Sequence, residues 1–77
     1  MDCFHKHQPV MTKRVLSAVT AQMEDEFEDD RIRYRQPSMP GHILARAARP
    51  EPFYFVKHAD DTVAVYHEHE LAPGPSI

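Results

Sequence analysis

Seventy-seven residues, 42% hydrophobic and 27% charged, make one small domain that buries only about 60% of the surface its unfolded chain exposes. No apolar run approaches the roughly 18 residues that a membrane-spanning helix needs, and two glycines are too few for a phosphate-cradling loop. The net charge of −3 is segregated into +2 over residues 1–20, −6 over 21–30, +5 over 31–57 and −4 over 58–77.

The start, MDCFHKHQPV, has neither the basic n-region nor the apolar h-region of a secretory signal, and the single cysteine, Cys3, has no intramolecular partner. Together these predict a reducing, cytoplasmic setting. Residues 1–11 read as a flexible N-terminal extension, 12–70 as a single small α+β domain and 71–77 as an extended C-terminal tail.

From Thr12 to about Asp29, Leu16, Val19, Met23 and Phe27 recur at helical spacing, which predicts a long amphipathic helix with Thr12 as its N-cap. Ile32 and Tyr34 then alternate with Arg31, Arg33 and Arg35, the period-two pattern of a short strand. Gln36–Gly41 breaks the chain with two prolines and a glycine. In HILARAAR, residues 42–49, Ile43, Leu44, Ala47 and Ala48 share one helical face and His42, Arg46 and Arg49 the other, which predicts a second short helix.

FYFVKH and TVAVYHEHE, either side of Ala59, Asp60 and Asp61, predict a β-hairpin. A three-residue loop places Phe53, Phe55, Val63 and Val65 on one face and Tyr54, Val56, Ala64 and Tyr66 on the other. The expected fold is therefore α+β: the long N-terminal helix packed on a small antiparallel sheet, made by the hairpin and the arginine strand, with the second short helix beside it. Because the second hairpin face is half apolar, Tyr54, Val56 and Tyr66 are the expected anchors of a homodimer or tight complex, the competing explanation being that Ile43 and Leu44 of the second helix cover the face within one chain.

Six acidic residues within seven positions, Glu24, Asp25, Glu26, Glu28, Asp29 and Asp30, precede the three arginines. At the end of one long helix these carboxylates oppose the macrodipole. Either the arginines turn back to neutralise them, or the block is a surface for a partner. Glu24, Asp25, Glu28 and Asp29 with Arg31, Arg33 and Arg35 are thus the candidate partner-binding residues, and the expected partner is a protein with a basic or mixed-charge surface.

Two other classes have footholds. Arg31, Arg33 and Arg35 with Arg46 and Arg49 offer two basic stripes for nucleic acid, but the neighbouring carboxylates repel a polyanion and no nucleic-acid-binding fingerprint is present. His5 with His7 and His67 with His69 form two His-x-His pairs, each short of the three or four ligands zinc takes, so neither metal nor cofactor is expected. Full protonation of the six histidines carries the formal charge from −3 to +3, which makes solubility and association sensitive to pH. No nucleophile motif or metalloprotease signature nominates an enzyme. The sequence favours a small free-standing regulatory or inhibitory protein that acts by protein–protein interaction.

Overall fold

The computed structural model describes residues 4–47 and 53–74. In chain order the elements are β1 (Pro9–Thr12), α1 (Ala21–Glu26), α2 (Asp29–Arg33), β2 (Pro40–Ala47), β3 (Phe53–His58), β4 (Val63–His67), a 3-10 turn (Glu68–Glu70) and β5 (Leu71–Pro73). The hairpin β3–β4 forms in the register expected for a three-residue loop, with Tyr54 opposite Tyr66, Phe55 opposite Val65 and Lys57 opposite Val63. Thr62 returns a carbonyl to the His58 amide at 2.9 Å, and Asp61 takes the left-handed φ of 68° that the turn needs.

The hairpin is part of one five-stranded antiparallel sheet of order β4-β3-β2-β1-β5. Four inter-strand steps would hold the edges of a flat sheet about 19 Å apart. Yet the four residue steps from His67, ending β4, to Leu71, opening β5, reach at most about 14 Å. The sheet therefore curls. Inside the curl Phe4, Val10, Ile43, Tyr54, Val56, Ala64, Tyr66 and Leu71 form one core, with Leu16 packed against it. On the outer face Met23, Phe53 and Val65 form a second, joined by Phe27, Ile32, Ala47 and Phe55.

This corrects the expected α+β fold, because among the described residues no long N-terminal helix exists and neither α-helix reaches seven residues. Thr12 ends β1 rather than capping a helix, and its hydroxyl accepts from the Met39 amide at 2.8 Å and donates to the Gln36 carbonyl at 2.6 Å. That pins together the two ends of the long β1–β2 connection. Helix α1 starts only at Thr20, whose side chain accepts from the Met23 amide. The expected apolar stripe divides: Leu16 joins the inner core, Met23 and Phe27 the outer one, and Val19 is exposed.

The expected arginine strand is α2. Asp29 and Asp30 occupy its first turn and Arg31 and Arg33 its last, which is the order the helix dipole favours. The latter half of the acidic block thus suits the start of α2, and the change of sign from Asp29 and Asp30 to Arg31 and Arg33 is the charge pattern of that helix, while Glu24, Asp25 and Glu26 lie in α1, whose last turn holds no basic residue. The expected second helix is strand β2, for residues 42–47; Ala48 and Arg49 lie outside the described residues. A register shift between Ile43, opposite Val56, and Ala45, opposite Phe55, leaves Leu44 as an extra residue. Such a bulge switches the faces and hides the alternation from a sequence reading. Gly41 sits where β2 and β3 approach closely, since a Cβ there would lie 2.6 Å from Val56 Cγ1 and 2.8 Å from the Lys57 carbonyl.

Residues read as an N-terminal extension and a C-terminal tail supply β1 and β5, and Phe4, Val10 and Leu71 are in the core. The expected self-association anchors Tyr54, Val56 and Tyr66 are all at 0% exposure. Curling covers the half-apolar hairpin face within the chain, so that face offers no surface to a second copy. No helix among the described residues is long and apolar enough to cross a membrane.

Candidate protein-interaction surface

Between β1 and β2 the chain makes a long excursion, residues 13–39, which carries both helices. Apolar side chains seat it from beneath. Met23 is wholly buried against the outer face of the hairpin, and the Phe27 ring meets Phe53 and Phe55 edge-on at 5.1 and 5.5 Å. Ile32 from α2 joins the same cluster.

A buried polar latch fixes its two ends. The Glu70 side chain is 1% exposed and that of Arg35 5%, and the two form an ion pair through Arg35 Nη2 and Glu70 Oε2. The same Glu70 oxygen accepts the Ser17 amide at 2.7 Å, while Oε1 accepts the His67 amide at 2.8 Å. The Glu70 carbonyl takes the Lys13 amide at 2.9 Å. One residue of the 3-10 turn thereby holds the start of the excursion, at Lys13 and Ser17, and its end, at Arg35. A buried carboxylate is tolerated only when its lone pairs are filled in this way.

Arg35 also lies over the Tyr66 ring, 5.7 Å from its centre. The Tyr66 hydroxyl accepts the Gln36 amide at 2.7 Å and lies 2.7 Å from His58 Nε2. His58 Nδ1 sits 2.9 Å from the Pro40 carbonyl, which only accepts, so Nδ1 carries a proton and donates it there. Every member of the chain Gln36, Tyr66, His58 and Pro40 is satisfied.

Burial pushes the phenols of Tyr66 and Tyr54 up from their ordinary value of 10.0. A raised phenol favours the neutral form in the folded state, so its stability contribution is complete below the unfolded value and is lost as pH rises through the folded one. The urea midpoint of the wild-type protein is expected to hold steady up to about pH 9 and to fall above about pH 10. Tyr66→Phe should be less stable at neutral pH, with a shallower alkaline fall. An equally steep fall in the variant would place the titration elsewhere.

On the outside of this platform Glu24, Asp25, Glu26, Glu28, Asp29 and Asp30 are all exposed. No ion pair among the described residues includes any of the six. Of the three arginines expected to neutralise them, Arg33 is exposed and Arg31 half-buried on α2, while Arg35 has turned inward to Glu70. The structure thus carries Glu24, Asp25, Glu28, Asp29, Arg31 and Arg33 on one excursion, and turns the side chain of Arg35, on the same excursion, inward to Glu70.

Arg46 stands on β2 opposite Tyr54, and Arg49 lies outside the described residues. Of the described arginines read as basic stripes, Arg31 and Arg33 lie on α2, Arg35 in the latch and Arg46 on β2. Among the histidines, His58 is buried in the core network. His67 and His69 stack with ring centres 5.0 Å apart, and His69 Nε2 lies 2.9 Å from Ser17 Oγ. No three His, Cys, Asp or Glu side chains among the described residues are grouped to hold a metal ion. Sequence reasoning missed Glu70 altogether; set in the polar run HEHE, it carries no local sign of burial.

Neither family models, curated proteins nor solved structures provide a match to this chain.

Proposed function

We propose that this chain is a small regulatory or inhibitory protein that binds another protein through the acidic outer surface of α1 and α2. The observation that carries the reading is the fate of Arg35. With that cation committed to Glu70, six exposed carboxylates remain without an ion pair among the described residues, on a seated, latched platform. Such a concentration of one sign attracts a partner with a basic or mixed-charge surface, speeds encounter and repels like-charged competitors. It repels a polyanion too, which disfavours nucleic acid. A lone cysteine in the chain fits a reducing compartment, the cytoplasm.

The test is affinity capture from the native source with two baits, wild type and the triple variant Glu24→Lys, Asp25→Lys, Glu28→Lys. These positions are exposed, so the variant should keep its fold and its stability within about 0.5 kcal/mol. Proteins held by the wild type are expected to be lost with the variant, and their capture to weaken as salt is raised. Identical capture by both baits overturns the proposal.

A further inference from the structure

The α1–α2 platform covers only part of the outer face of the sheet. Beyond Phe55, that face continues through Lys57, which is opposite Val63 on one side and His42 on the other, and His42 is opposite Pro9. Residues directly opposite in antiparallel strands point to the same face, so Pro9, His42 and Lys57 form one row. Pro40 precedes His42 by two positions and shares the face. Together with Gly41, His58 and, from the hairpin loop, Ala59 and Asp61, they line an open cavity of about 480 Å³.

We propose that this cavity binds a small organic monoanion, a carboxylate head on a short apolar body. The volume lies within the range of small-ligand sites, about 300–1,000 Å³. Lys57 is the fixed cation, and His42, directly across the strand, stands beside it as a second donor. Lys57 Nζ is 3.5 Å from Asp61 Oδ1, an exposed pair that occupies only part of the ammonium's three-donor capacity. A carboxylate can therefore share the ammonium with Asp61, whereas a dianion meets the Asp61 charge on the rim. Pro9, Pro40 and Ala59 supply an apolar wall, and the two prolines bring no amide donors to it.

The experiment is a titration of the full chain, followed through its backbone amide resonances, with sodium hexanoate, hexan-1-ol and hexylamine as separate probes. Hexanoate is expected to give saturable shifts at Gly41, Lys57 and Ala59, hexan-1-ol weaker ones and hexylamine none. Lys57→Met keeps the apolar stem and should weaken hexanoate about tenfold. Asp61→Asn suits the left-handed turn, removes the rim charge and should tighten hexanoate about threefold. The absence of saturable shifts, equal binding of the alcohol or the amine, or an unchanged affinity in Lys57→Met overturns the proposal.

Discussion

Replacing Glu70 with alanine is expected to cost about 3–5 kcal/mol, the penalty for removing one partner from a buried ion pair. A domain of this length holds about 4–12 kcal/mol in all, so the variant should lose a large part of its stability, and at the lower end of that range it is unfolded at room temperature. The cost exceeds that of one lost contact because the Glu70 side chain serves three donors, Arg35, Ser17 and His67. Arg35 and the His67 amide then lose their acceptor in a buried setting, and the Ser17 amide loses it nearer the surface. Glu70→Gln keeps one good acceptor and should fall between wild type and alanine. The pair Arg35→Met with Glu70→Leu removes both charges and should be markedly more stable than the sum of the single changes, because neither ion is then orphaned. Urea unfolding of wild type, Glu70→Ala, Glu70→Gln, Arg35→Met, Glu70→Leu and the double variant checks this. A loss under about 1 kcal/mol in Glu70→Ala would mean that water reaches the site and the latch is not a buried one.

Met23→Ala is expected to cost about 2–5 kcal/mol, the range for emptying a buried methionine site. Met23 is the only fully buried residue of α1 and α2, and it joins α1 to Phe53 and Val65. Phe27 and Ile32 are only partly buried beside it and cannot close the hole without shifting both helices. The damage should be local. Far-ultraviolet and aromatic signals of the sheet should persist in the variant below its melting temperature, while amides of α1 and α2 lose protection and partner capture declines. Loss of the sheet in the same step would show that the two cores fold as one unit.

The hairpin was legible in the sequence because alternation there is local and uninterrupted: Phe53, Phe55, Val63 and Val65 can share a face only with a three-residue loop, and the strands pair in that way. The acidic surface was legible for a similar reason, since six carboxylates in seven positions have nowhere to go but outward. The rest depended on distant partners. Ile43, Leu44 and Ala47 mimic a helical face because a bulge at Leu44 switches the phase of a strand, and the bulge is defined only by the pairing of β2 with β3. Ile32 and Tyr34 among arginines satisfy a period-two pattern over too short a stretch to exclude a helix. The sign order from Asp29 and Asp30 to Arg31 and Arg33 was the better indicator.

Glu70 is the clearest case of a role without a local signal. Its side-chain partners Arg35 and Ser17 are 35 and 53 positions away. Only the curl of the sheet, which brings the 3-10 turn under the excursion, makes this glutamate differ from any solvated one. The same curl buries Tyr54, Val56 and Tyr66, whose half-apolar face in an isolated hairpin would call for a partner.

At the centre of the account is an acidic surface carried on an ordered platform, not on a slack acidic loop. Amide hydrogen exchange on the wild-type protein tests this most directly. The reporters are Ser17, bound to Glu70, Phe27, bound to the Met23 carbonyl, and Gln36, bound to the Tyr66 hydroxyl. If the excursion is seated and latched, all three amides exchange at least about a hundredfold more slowly than in an unstructured chain. Exchange of Ser17 and Phe27 at unstructured rates, with β2, β3 and β4 still protected, would contradict it.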